Sequence, residues 1–182
     1  MAAPKPTPAS SYVADPGVRI GHVHLKVANL ERAIGFYGGV LGLQVTQYLG
    51  DSAAFLSAGG YHHHIGLNTW ESLDRTPPPR GTTGLYHTAI VYPNRPALAT
   101  ALKRVLAARI KLEGAADHGV SQSIYLRDPD DNGVELYCDR PKDKWPRTPE
   151  GKLEMYTRPL DLHSLLEEAP EGTDLPLGPE DL

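Results

Sequence analysis

His22-Val-His-Leu-Lys-Val-Ala-Asn29 decides the fold, because its pattern returns at His87-Thr-Ala-Ile-Val-Tyr-Pro-Asn94. In each stretch a histidine opens an alternating run and an asparagine follows seven residues later. In the first, Val23, Leu25 and Val27 share one face and His22, His24 and Lys26 the other, the pattern of a half-buried strand over Arg19–Val27. Asn29 then caps a helix whose apolar stripe is Leu30, Ala33, Ile34, Tyr37, Val40 and Leu41, stopped at Gly42. Three short strands follow near Leu43–Leu49, Ala53–Ser57 and His62–Trp70. The second copy runs from a strand at Leu85–Tyr92, through a helix from Asn94 to about Arg109, to strands near Lys111–Leu112, Ser123–Arg127 and Gly133–Asp139. The order predicts an α+β fold of tandem βαβββ repeats.

Outward from this unit the chain is plain. Residues 1–17 read as a flexible arm, 18–140 as the folded domain and 141–182 as a polar, Pro-rich extension. The Leu160–Leu166 patch in that extension reads as a docking helix. Of 182 residues, 40% are apolar and 22% charged, which suits an ordinary globular protein. Net charge is −4 with no basic block, so neither nucleic acid nor an anionic membrane is an expected partner. The single cysteine, Cys138, excludes an internal disulfide and reads as a small buried residue. Met1–Ser11 lacks the apolar core of a secretory signal, and no apolar run approaches the roughly 20 residues of a membrane helix. A cytoplasmic location is the expectation.

Strand alternation gathers the candidate chemistry on the sheet face away from the helices. In Gly133–Cys138, Val134 and Leu136 face the helices, and Glu135 faces away. In Ser123–Arg127 the side chains facing away are Ser123, Tyr125 and Arg127. His22 and His87 fall on the same face. Two neutral imidazoles and a carboxylate suit a divalent first-row metal with open positions, Fe(II) first, with Mn(II) or Zn(II) sharing the donor set. A lone strand histidine is usually structural, but two at equivalent repeat positions with Glu135 on the same face favour a metal. His24 reads as a pocket or surface residue. Asp128, Asp130 and Asp131 read as hairpin-turn chemistry rather than ligands. The run His62-His63-His64 is internal, unlike a terminal tag.

These residues resemble the vicinal oxygen chelate superfamily of glyoxalase I, the bleomycin- and fosfomycin-resistance proteins and the extradiol dioxygenases. The likeness covers about Arg19–Asp139. It is carried by His22–Val27, by Asn29-Leu-Glu-Arg-Ala with Phe36-Tyr37 and Leu41-Gly-Leu43, and by Asp128-Pro-Asp-Asp-Asn-Gly-Val-Glu135-Leu. It implies one curved mixed-sheet module with metal ligands His22, His87 and Glu135. Glyoxalase I adds a carboxylate in the strand before the interdomain link, and His64-Ile-Gly-Leu-Asn68 holds none. The extradiol enzymes, catechol 2,3-dioxygenases among them, are the nearer likeness. They place a tyrosine ten residues before the glutamate, as Tyr125 stands to Glu135, and a histidine in a His-Gly stretch, as in His118-Gly119. Their acid–base histidine maps to His63 by distance from Ile65-Gly66, whereas strict alternation from Gly66 turns His62 and His64 inward. The implied activity is ring opening of a catecholic substrate with O2, with His63, His118 and Tyr125 catalytic. Typical extradiol enzymes carry two such modules and this chain one, which implies either a homodimer, supported by the tail around Trp145 and Leu160–Leu166, or a shortened relative with a different substrate. The alternatives are a non-oxidative metalloenzyme of the superfamily, either a glyoxalase-like isomerase or lyase or a resistance thiol transferase, and a metal-free binding protein.

Overall fold

A computed structural model describes residues 12–172. The expected arm at 1–17 and the end of the extension therefore fall largely outside the described residues. The first repeat comprises β1 (Val23–Lys26), α1 (Leu30–Ile34), a π-helical stretch Gly35–Val40, β2 (Gln44–Leu49), β3 (Ala53–Ser57) and β4 (Ile65–Asn68). The second comprises β5 (Thr88–Tyr92), α2 (Arg95–Ala107), β6 (Leu112–Asp117), β7 (Ser121–Arg127) and β8 (Gly133–Asp139). A short strand β9 (Arg158–Pro159) and helix α3 (Leu162–Glu167) follow in the extension.

Both repeat asparagines cap as expected. The Asn29 side chain accepts from the Arg32 N–H at 2.9 Å, and Asn94 from Ala97 at 2.9 Å. The first helix changes character at Gly35, and the Leu41 N–H reaches back five residues to the Phe36 carbonyl at 3.0 Å. β6 is longer than the expected Lys111–Leu112 because pairing with β7 and β9, not its own apolar pattern, holds Glu113–Asp117 extended.

The α+β tandem repeat is present, with its strands in two mixed sheets. One runs β1-β4-β3-β2 and the other β5-β8-β7-β6-β9. In each repeat the opening strand pairs parallel with the closing strand, Val23 beside Ile65 and Thr88 beside Val134. β1 and β5 are each an edge of their sheet.

The helix-side faces share one core, which joins Leu25, Val27 and Tyr37 of the first repeat to Leu98, Leu102, Ile124 and Leu136 of the second. A buried polar tie crosses the same boundary. The Tyr37 hydroxyl donates to Asp128 Oδ2 at 3.0 Å, while Asp128 also accepts from the Asp130 and Asn132 N–H groups. Asp130 reaches back to the first repeat, accepting from Ala28 N–H at 3.1 Å and pairing with Arg32 at 2.6 Å. The aspartates of the hairpin thus organise the turn and staple the repeats. The Leu160–Leu166 patch docks, but within its own chain, since α3 buries Leu165 and Leu166 in the shared core against α2. Leu165 and Leu166 are thus committed to the chain's own core, while Leu160 and Leu162 stay half-buried. Among the described residues no helix is long and apolar enough to cross a membrane.

Gly133 lies tightly against the segment that leads into β5. A Cβ there would stand 2.1 Å from the Tyr86 carbonyl oxygen and 3.0 Å from His87 Cβ, and a backbone oxygen cannot rotate away. Gly133→Ala is expected to cost about 3 kcal/mol in urea unfolding, at the upper end of overpacking effects. A loss below about 0.5 kcal/mol would mean that the strands tolerate separation at this point.

Candidate metal centre

The second repeat builds most of the expected site from strand register alone. Tyr125 lies directly opposite Glu135 in the antiparallel β7–β8 pair, and Ala89 lies beside Glu135 in the parallel β5–β8 pair. Paired residues share a face, and His87 stands two residues before Ala89, so all four side chains face one way. His87 Nε2 lies 2.9 Å from Glu135 Oε2. The Tyr125 hydroxyl lies 3.2 Å from Glu135 Oε1 and 2.7 Å from His118 Nε2. His118, Tyr125, Glu135 and His87 therefore form one connected row. It borders an open cavity of about 620 Å³ lined also by Tyr86, Glu113 and Arg127. The Glu135 side chain is only 13% exposed, so its charge depends on these partners. Burial, with the adjacent Glu135 charge, pushes the Tyr125 hydroxyl above its ordinary range and keeps it a proton donor.

The first repeat builds the equivalent rows with different chemistry. His24, Gly66 and Phe55 lie side by side across β1, β4 and β3, matching Ala89, Glu135 and Tyr125 across β5, β8 and β7. The point that corresponds to the glutamate is thus Gly66. The His24 ring covers it so closely that a Cβ would meet that ring at 2.9 Å. His24 also packs on Phe55 and Trp70, with ring centroids 5.8 and 5.4 Å away.

His22 precedes β1 as His87 precedes β5. Its ring lies 4.3 Å from that of His63, which also packs on Phe55 at 5.0 Å. Of the triple histidine, His62 and His64, which alternation turned inward, are exposed, and His63 is half-buried. His64 bonds to Ser57 Oγ at 2.9 Å, whereas His63, ahead of the strand and free of its alternation, is the ring set against His22. His62 bonds to His63 at 2.7 Å. Desolvation, and then the surrounding His22, His62, His24 and His64, holds His63 below the ordinary imidazole value.

The structure thus joins His87, Glu135, Tyr125 and His118, joins His22 to His63, and keeps these groups on separate sheets. Among the described residues no three His, Cys, Asp or Glu side chains come together in a set that could hold a metal ion. The donors that do converge suit one. His87 Nε2 and Glu135 Oε2, 2.9 Å apart, have the spacing of adjacent ligands about 2.1 Å from a common ion. His87 Nδ1 is buried without a hydrogen-bond partner, so Nε2 is the nitrogen engaged. They are two of the three expected ligands, and His22 is not beside them.

Sequence reasoning missed three contributors. Phe55 and Trp70 could have been found from the repeat, since Phe55 occupies the Tyr125 position. Tyr156, whose carbonyl lies 3.0 Å from His118 Nδ1, carries no sequence signal because its contribution is a backbone atom.

Comparison with known proteins agrees with the fold. The family described as the Glyoxalase/Bleomycin resistance protein/Dioxygenase superfamily matches residues 19–136. The chain is 43% identical over 150 residues to a Catechol-2,3-dioxygenase of Bacillus subtilis (strain 168), covering 82% of this chain and 52% of that protein. It is 33% identical over 124 residues to Biphenyl-2,3-diol 1,2-dioxygenase 3 of Rhodococcus globerulus, covering 66% of this chain and 63% of that one. The chain thus spans about half the length of the first relative and under two thirds of the second. A glyoxalase/dioxygenase crystal structure from Nostoc punctiforme shares the fold, with a TM-score of 0.59 at 20% identity over 73% of this chain and 100% of that one. With tandem βαβββ repeats, the closing Glu135 strand and a family match over most of the folded unit, the chain belongs to the glyoxalase/bleomycin resistance/dioxygenase superfamily.

Proposed function

We propose that the chain is a metal-dependent extradiol-type dioxygenase that opens a catecholic ring with O2. The observation that carries this reading is the connected row His118–Tyr125–Glu135–His87, a candidate ligand pair backed by a hydrogen-bonded acid–base pair. The dioxygenase relatives support it. The ligands are His22, His87 and Glu135, and the ion is Fe(II), with Mn(II) or Zn(II) fitting the same donors. When bound, such an ion supplies open positions and electron transfer between an aromatic diol and O2.

The protein's own groups supply the remainder. His63, its imidazole held below the ordinary value by desolvation and the neighbouring histidines, takes a proton from a substrate hydroxyl. Tyr125, held protonated, rests with its one proton toward His118 and turns it onto negative charge as that charge develops on the substrate. Phe55 and Trp70 offer aromatic faces to the ring. Gly66, closed over by His24, bears no fourth ligand and disfavours a glyoxalase-like isomerase. The reading includes a cytoplasmic location.

The two half-sites call for a second copy of the chain. Among the described residues β1 and β5 each leave one edge unpaired, and exposed apolar side chains flank both, Ile20 before β1, Leu85 and Tyr86 before β5 and Val91 within it. Laying β1 of one copy along β5 of another joins the sheets and brings the His22 and His63 half against the His87 and Glu135 half. Two-fold symmetry then makes two equal sites in a homodimer.

Protein purified anaerobically and loaded with Fe(II) should consume O2 in step with added catechol and form a yellow ring-opened product. Metal bound without O2 uptake would move the chain to a non-oxidative enzyme of the superfamily, and failure to bind metal would make it a binding protein. Tyr125→Phe should keep the metal while turnover falls about 10- to 1,000-fold; an unchanged rate removes Tyr125 from the chemistry. His22→Ala and Glu135→Ala should each lose metal. When the two are unfolded and refolded together, about one quarter of the sites should return, because half the dimers are mixed and each mixed dimer holds one intact site. No recovery would place all three ligands in one copy.

A further inference from the structure

The C-terminal extension beyond the family match is built against His118 at both of its backbone-facing sides. The Tyr156 N–H donates to the His118 carbonyl at 3.3 Å, and the Tyr156 carbonyl lies 3.0 Å from His118 Nδ1. The strap is anchored on either side of this point. β9 pairs with β6, Asp117 beside Arg158, and the Arg158 guanidinium sits 4.1 Å over the Tyr156 ring. Pro146 and the Tyr156 ring lie directly on Gly119, where φ is +78° and a Cβ would stand 2.7 Å from each. Only glycine accepts both the conformation and the contact.

Two strap oxygens face His118 Nδ1, the Tyr156 carbonyl at 3.0 Å and the Thr157 hydroxyl at 3.3 Å. The hydroxyl can donate or accept, but the nearer carbonyl can only accept, so the nitrogen bonded to it must carry a hydrogen. In the neutral ring the other nitrogen is then a bare lone pair. We propose that the strap at residues 146–159 is part of the site: the Tyr156 carbonyl holds His118 as its Nδ1–H tautomer, so that Nε2 accepts the Tyr125 hydroxyl proton. Tyr125 has one proton and two acceptors within reach, His118 Nε2 at 2.7 Å and Glu135 Oε1 at 3.2 Å. With Nε2 bare, the proton lies toward His118 and is withheld from Glu135. In the opposite tautomer Nε2–H would donate to Tyr125, and the tyrosine proton would turn onto the carboxylate. Tyr156 is thus a positioning residue that acts through its backbone. Its importance for turnover rests on the dioxygenase reading, whereas the tautomer does not.

The test is long-range proton–nitrogen correlation NMR on the full-length chain, 15N-labelled at histidine and treated with chelator, with His118 assigned by its loss in His118→Gln. His118 should appear as Nδ1–H in the unsubstituted protein and in Tyr125→Phe, because the strap sets it. Tyr156→Ala, which removes the ring from Gly119 and Arg158, and Gly119→Ala, which pushes the strap away, should each give a mixture containing Nε2–H. An Nε2–H signal in the unsubstituted protein overturns the proposal. So does a tautomer that changes in Tyr125→Phe yet survives both strap variants. A clean Nδ1–H result in a protein without catechol activity would leave this proposal standing and remove only the dioxygenase reading.

Discussion

The position of β8 between β5 and β7 is the constraint on which the candidate centre depends. Its parallel partner brings Ala89, and hence His87, alongside Glu135, and its antiparallel partner sets Tyr125 opposite. A slip of one residue in either ladder would send Glu135 to the helix side, where Val134 and Leu136 are now buried. Three features hold the register. Gly133 admits the Tyr86 backbone, the Asp128 carboxylate organises the turn into β8, and Tyr37 reaches across from the first repeat to bind that carboxylate. A tyrosine with no solvent exposure needs its hydroxyl satisfied, so the bond also fixes how the two repeats meet.

Two repeats with one backbone plan carry divergent chemistry at equivalent points. Where the second repeat has Ala89, Glu135 and Tyr125, the first has His24, Gly66 and Phe55. The second therefore presents a carboxylate and a phenol, and the first imidazoles and aromatic faces. Each is half of a site by composition. An exposed edge strand beside apolar side chains is a surface that proteins ordinarily cover. Covering β5 with β1 of a second copy satisfies that need and unites the halves in the same step.

Much of this was legible in the chain because strand alternation and cap residues are local signals. The ladders of β3 and β8, both asparagine caps and the shared face of His87, Tyr125 and Glu135 all follow from period and spacing. The ten residues between Tyr125 and Glu135 are the span of one antiparallel hairpin that pairs them directly. What was not legible is long-range. Alternation cannot report that β1 and β5 belong to different sheets, because each strand pattern is the same whichever neighbour it takes. Nor could it settle the triple histidine, since His63 lies ahead of β4 where the period-2 rule lapses. The tail was read as polar and Pro-rich with one docking patch, and nothing in that pattern reports that Tyr156 and Thr157 touch His118.

The most direct test of the account is a crystal structure of the protein loaded anaerobically with Fe(II). The account predicts an ion bonded to His87 Nε2, to the Glu135 carboxylate and to His22 from a second copy, with His63 facing it. An ion held by His22, His62 and His63 within one copy, or bound away from Glu135, would contradict it.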